Sequence, residues 1–382
     1  MSGNITDEEL ADGCWWRNPW WEDENWVSQS KYTLPQIRAA VEELKAVFSS
    51  EWATKIGKND VANIFLRNVR YGQSIWQHRY IVELGQRIAT LRDRPGFASV
   101  LSRLLSVDGS ESANMELSLA ALLLRSSFDI EFPVPNPNRG KSPDIIACCR
   151  DEVVAFECKQ LEVSNKQQWL DSYYHYASQL LRDHLDNKER QVQFEFDEPP
   201  VDRYFQRDGK PICEATAVAD ELIGCMISHV RGQFAASSSP CLFGIEGIGH
   251  GRFVGKTEPS SAWMRFPLMS EDRLFARLFS NGIARASEQL RAADFPGIAA
   301  IYAEYSPSFE YAQGEFGAIV SNEPSLYGHL TACLVFQRQA LFQYHPPLLL
   351  VNPASRVKFD QLNVSNVIRK AYGLEEECAA NT

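Results

Sequence analysis

The chain has 382 residues, 45% of them hydrophobic and 11% aromatic, and a formal net charge of −11. That length exceeds what one hydrophobic core usually serves, so two or more subdomains are expected, and the acidic balance excludes a protein that coats nucleic acid by bulk attraction. The nine cysteines form no CxxC pair and no cluster of zinc spacing, the acidic start lacks a basic n-region and apolar h-region, and no apolar run approaches a membrane span; a reduced, cytoplasmic protein without membrane contact is expected.

Residues 1–30 read as an acidic, Trp-rich extension, with Trp15, Trp16, Trp20, Trp21 and Trp26 among Asp and Glu. Such a segment suits docking into a groove of this chain or of a protein partner. Residues 31–110 read as an α-helical subdomain: Pro35 suits a first helical turn, and Ile37, Val41, Leu44 and Phe48 recur at helical spacing. Within it lies the one clearly basic stretch, where Arg67, Arg70, Arg79, Arg87, Arg92 and Arg94 face only Glu83 and Asp93, with Tyr71, Trp76 and Tyr80 interleaved. Such a run is ordinarily the solvated face of a helix. Its functional reading is a nucleic-acid-binding surface in which Arg67, Arg70 and Arg79 contact phosphate and the rings stack on bases.

Helix and strand alternate over residues 111–375, which predicts a mixed α/β domain. Residues 115–127 form a helix buried on most faces, 128–134 a short strand, and the prolines and glycine of 135–142 a loop. The β-rich runs 143–149 and 153–159 should pair as an antiparallel hairpin centred on Arg150 and Asp151. Further helices are expected over 166–185, 215–231 and 271–293, and further strands over 191–196, 241–245, 297–305, 330–336 and 348–351. The glycines at 247, 249 and 251, ahead of Gly255-Lys256-Thr257, make no phosphate loop, because the first glycine that GxxxxGK requires would fall on His250. A tight turn is expected there.

Side chains alternate along a strand, so Glu157 and Lys159 emerge on one face of 153–159 and Phe156 and Cys158 on the other. The hairpin centre sets Asp144 opposite Glu157. Glu116, polar amid the apolar 117–124 neighbourhood, is the natural third acid. Two close carboxylates raise each other's pKa unless a cation stands between them. A hard ion such as Mg2+ (or Mn2+) answers that conflict, since it takes oxygen ligands and binds through one or two carboxylates plus substrate phosphate. It can acidify a bound water and offset transition-state charge, while Lys159 adds a second positive charge beside the phosphate. Hydrolysis of a phosphodiester suits this grouping. Its plain structural alternative is an exposed ion-pair neighbourhood on a strand beside a post-proline turn aspartate.

The stretches NMELSLAALLL, KSPDIIACC and VVAFECKQL follow one another as helix with acid, PD strand and ExK strand. They resemble the PD-(D/E)xK superfamily of restriction-endonuclease-like nucleases, Pro143-Asp144 matching one half of the motif and Glu157-Cys158-Lys159 the other. The resemblance covers residues 114–196. It implies an α/β fold with a restriction-endonuclease-like core, a mixed central sheet flanked by helices, behind the α-helical N-terminal subdomain. It implies that Asp144, Glu157 and the backbone carbonyl of Cys158 ligate Mg2+ (or Mn2+), that Lys159 positions or activates the water, and that Glu116 is the helix acid. Members often carry a Gln or Lys on the helix after the ExK strand; Gln179 and Gln289 both qualify, though each also reads as an ordinary helix-surface residue, and the second would make about 160–265 an insertion. The function implied is that of a Mg2+-dependent endodeoxyribonuclease, in a setting such as antiviral defence or DNA repair. Expected partners are nucleic acid, DNA above all, a protein bound through residues 1–30, and a second copy of the chain. The alternative class is a catalytically silent protein of the same fold that binds nucleic acid or protein.

Overall fold

The computed structural model describes residues 24–56, 63, 65–66, 75–107, 109–134, 142–161, 271–303, 307–337 and 346–374, and between them 168–170, 172–174, 176–177, 180, 191–196, 201–206, 210–221, 224, 241–245, 249–255 and 262–265. The chain divides into two compact units, one formed by Met1–Leu161 with Glu271–Thr382 and the other by Glu162–Ser270.

The first unit begins with helices α1 (Glu24–Gln29), α2 (Leu34–Val47), α3 (Ser50–Ile56), α4 (Ile75–Leu91), α5 (Phe97–Leu104) and α6 (Ser110–Arg125). Helix α2 starts where the Gln36 side chain accepts the Thr33 N–H at 2.9 Å, with Pro35 in the first turn. Its Ile37, Ala40 and Val41 are buried with Val82 of α4 and with Trp26 of α1. Gly85 permits this crossing, because a Cβ there would run into the Ala40 carbonyl. Residues 24–30 therefore belong to the helical layer rather than to an extension, for burying Trp26 gives α1 an apolar anchor. The helices also share one compact unit with the sheet that follows.

Next come β1 (Asp129–Glu131), β2 (Ile145–Cys149) and β3 (Glu152–Gln160). The chain then enters the second unit, whose strands β4 (Gln191–Phe196), β5 (Cys241–Ile245), β6 (Gly249–Gly255) and β7 (Ala262–Arg265) form a separate sheet in the order β5-β6-β4-β7. Of the glycines for which a tight turn is expected, Gly247 lies outside the described residues, whereas Gly249 and Gly251 lie in β6, which pairs antiparallel with both β4 and β5. Glycine carries no side-chain signal for a strand, and here the two flanking ladders supply what propensity does not. On return to the first unit, α7 (Glu271–Arg277) passes through a π-helical turn (Leu278–Ile283) into α8 (Ala284–Leu290), followed by β8 (Gly297–Ala303), α9 (Phe309–Asn322), α10 (Pro324–Tyr327), β9 (Leu330–Gln337), β10 (Leu348–Val351) and α11 (Asn363–Tyr372).

The six-stranded sheet runs β1-β2-β3-β8-β9-β10. Its first three strands and its last pair are antiparallel, whereas β3, β8 and β9 are parallel. Alternate residues feed two cores. Val154, Phe156, Cys158, Ile298, Ala300 and Leu334 pack with Leu117, Ala120 and Ala121 of α6, while Ala155, Ala299, Ile301 and Val335 pack with Ile283, Ala286, Ala312 and Phe316 of α8 and α9 and the π turn. Burial on both faces explains why these strands read as nearly unbroken apolar runs. The architecture is thus mixed α/β, a mixed sheet flanked by helices.

Two contacts finish the sheet. At the turn end of β3, Glu152 accepts the N–H groups of Asn363 and Val364 at 2.6 and 3.0 Å, capping α11. On edge strand β10, the Gln313 side-chain amide donates to Val351 O at 3.1 Å and accepts from Val351 N at 3.0 Å. Among the described residues no helix is long and apolar enough to cross a membrane.

Candidate active site

The hairpin is pinned at its open end. Ile145 pairs with Phe156 and Cys149 with Glu152, so Arg150 and Asp151 form the turn, Arg150 adopting the left-handed region at φ 56°. One residue before β2, Asp144 donates its N–H to Phe156 O at 3.0 Å, and its Oδ2 accepts the Cys158 N–H at 2.8 Å. Within a strand the N–H and C=O of one residue point to the same side. The Cys158 carbonyl therefore faces the Asp144 side, beyond the first residue of β2. Its sulfur lies in the apolar core with Phe156, where burial pushes the thiol far up.

Beside Asp144, Glu157 has a fully buried side chain. Lys159 Nζ donates to Glu157 Oε1, whereas Glu157 Oε2 is buried without a hydrogen-bond donor. Its polar neighbour is the Asp144 carboxylate. Two carboxylates engage each other only through a shared proton or an intervening cation. Burial, then Asp144, pushes Glu157 up to about 8 against the pull of Lys159. Burial likewise raises Asp144, opposed by the Cys158 N–H and by Lys159.

On the helical side, Arg103 of α5 forks onto Glu116 of α6, with Nη1–Oε1 and Nη2–Oε2 both 2.5 Å, and Ser112 Oγ donates to Glu116 Oε1 at 3.2 Å. Arg103 Nη1 also lies 3.9 Å from Asp144 Oδ1. Burial and then Asp144 raise the Glu116 pKa, while the Arg103 fork works against them. Three carboxylates thus share one electrostatic neighbourhood with two cations, and fully ionised they leave one negative charge uncompensated. Farther along β3, Gln160 Nε2 donates to Glu111 Oε2 at 2.5 Å.

No protein-family model, no curated protein and no solved structure matches this chain. The site is therefore judged on its own chemistry. Among the described residues no group of three or more His, Cys, Asp or Glu side chains is arranged to hold a metal ion, and Arg103 and Lys159 hold Glu116 and Glu157 in ion pairs. A hard divalent ion needs fewer side chains than that: one or two carboxylates, with waters and substrate phosphate filling the rest. Asp144, Glu157 Oε2 and the Cys158 carbonyl are the groups here that could supply such donors, Glu157 Oε2 having no hydrogen-bond partner.

The structure brings Asp144, Glu157, Lys159 and Glu116 together at one end of β3. Of the arginines expected to contact phosphate, Arg79 alone is among the described residues. Arg67 and Arg70 lie outside the described residues, and Arg79 has Nε 3.6 Å from Glu83, which also meets Lys31 at 3.2 Å, Arg87 at 3.0 Å and Tyr32 Oη at 2.8 Å. Gln179 also lies outside the described residues. Gln289 precedes Leu290, which packs on Gly297 at the start of β8, whereas Gly282 meets Ile301, the partner of Lys159. Seven residues of helix, about 10 Å, separate Gln289 from that level. Arg103, unforeseen in the sequence, joins the site; the only signal was an isolated cation in the apolar stretch FASVLSRLL.

Proposed function

We propose that this chain is a metal-dependent nuclease with a restriction-endonuclease-like core, hydrolysing phosphodiester bonds in nucleic acid, DNA first. The observation that carries the reading is the buried, donor-less Glu157 Oε2 beside Asp144, with Lys159 adjoining. The succession α6, β1, β2 and β3, followed after the second unit by helices α7 and α8, supports it, being the order helix with acid, strand, PD strand, ExK strand and helix that the superfamily resemblance implies.

Asp144, Glu157 and the Cys158 carbonyl would hold Mg2+ or Mn2+. Bound there, the ion supplies an acidified water and compensation for charge building on the attacked phosphorus. The protein's own groups do the rest. The Cys158 N–H and the Asp144 N–H fix the Asp144 carboxylate at the strand end. Lys159 aims an ammonium at the phosphate or the attacking water and restrains Glu157 Oε1. Arg103 keeps Glu116 turned toward Asp144.

A second reading, a catalytically silent module of the same architecture, draws on the ion pairs that already engage Glu116 and Glu157. Incubating the purified chain with plasmid, linear duplex and single-stranded DNA in Mg2+ or Mn2+ separates the two. The nuclease reading expects metal-dependent cleavage slowed about a thousandfold by Asp144→Ala; cleavage undiminished by the substitution, or none at all together with no heat of metal binding, sinks it.

A further inference from the structure

Arg103 forms the boundary between the buried acids and solvent. The Glu116 side chain is fully buried, whereas that of Arg103 is 38% exposed. A guanidinium carries five N–H donors and its fork on Glu116 uses two, leaving donors for an anion that arrives from outside. The stem is fixed, since α5 buries Phe97, Val100 and Leu104, and the Arg103 carbonyl accepts Ser106 Oγ at 2.7 Å. Neutralising Glu116 does not by itself call for an arginine, because an apolar pair of similar volume is commonly as stable as a buried ion pair. Lys159 is already engaged by Glu157. Arg103 instead stands on the Oδ1 side of Asp144, with Cys158 N–H at Oδ2.

We infer that Arg103 is a substrate-contacting residue, its free guanidinium edge taking a nonbridging oxygen of the nucleic-acid phosphate brought to Asp144 and Glu157. The inference rests on the proposed nuclease reading and deepens it. A contact of this kind is electrostatic and indifferent to base sequence, so its signature is the salt dependence of binding.

The test is anisotropy of a fluorescein-labelled DNA duplex with the full chain, Ca2+ replacing Mg2+, over about 50 to 200 mM KCl. Arg103→Gln should weaken binding about tenfold and lower the salt slope by about 1, whereas Arg103→Lys and Glu116→Gln, which keep a cation at the position, should hold the wild-type slope. An unchanged slope in Arg103→Gln, even with turnover lost, overturns the inference and reduces Arg103 to an anchor for Glu116. Should Arg103→Gln melt below the assay temperature, Arg103→Gln combined with Glu116→Gln, which leaves no unpaired buried charge, decides: a slope about one lower sustains the contact and a wild-type slope overturns it. A wild-type chain that neither binds nor cleaves nucleic acid removes the nuclease reading and this inference together, whereas a cleaving wild type with an insensitive Arg103→Gln removes the inference alone.

Discussion

Strand β3 carries two glutamates near its ends, and the fold treats them in opposite ways. Glu152 meets two backbone N–H groups at the start of α11, one for each carboxylate oxygen, where the helix dipole also favours negative charge. Glu157, five residues on, has one oxygen on Lys159 and the other without a donor, facing a second acid. A carboxylate that serves architecture is given its donors by the chain. One left short of donors in a dry place is suited to an ion or a substrate, and the contrast separates the two roles without reference to any relative.

Four measurements sharpen or break that contrast. The largest effect is expected at Asp144: losing a metal ligand forfeits several kcal/mol of transition-state stabilisation, so Asp144→Ala should slow cleavage by about a thousandfold with the fold intact by circular dichroism. Lys159→Ala should lower turnover by about a hundredfold while titration calorimetry finds metal affinity nearly unchanged; equal loss of both contradicts its assigned role. Third is pH. Glu157 is raised from 4.5 to about 8 by burial and then Asp144, so the folded form keeps a proton that the unfolded chain gives up. The stability this proton confers is complete below pH 4.5 and is lost as pH rises to about 8. Melting in EDTA should trace that decline, Glu157→Gln should lessen it, leaving the part due to Glu116 and Asp144, and Mg2+ should raise the melting temperature more at pH 8 than at pH 5. Smallest is Glu152→Ala, which should cost about 1 kcal/mol of stability through the lost cap and leave the cleavage rate unchanged. A loss of turnover there would erase the distinction between the two glutamates.

The hairpin was legible in the sequence because its evidence is local: β-branched and apolar runs either side of a two-residue turn fix which residues oppose each other. The strands beginning at Gly297, Leu330 and Leu348 were legible for the same reason. What escaped was arranged at a distance. Helix α11 starts after Leu362, a poor cap, because its cap is Glu152, 211 positions earlier than Asn363. Helix α9 carries Gly314 and Gly317, which weaken a helical signal that burial of Ala312, Phe316 and Val320 restores. Arg103 reaches Glu116 across two helices, 13 residues apart, a spacing to which no helical periodicity points. Trp26 looked like part of a loose leader until its partners Ile37 and Val82 were in view.

The Gln313 amide on β10 has a consequence for how this molecule meets its own kind. It presents one acceptor and one donor to Val351 just as an adjoining chain segment would, so at this residue the edge of the sheet meets a side chain. A stray strand arriving at that position finds both groups spoken for, which discourages fibre-like growth from this border of the sheet.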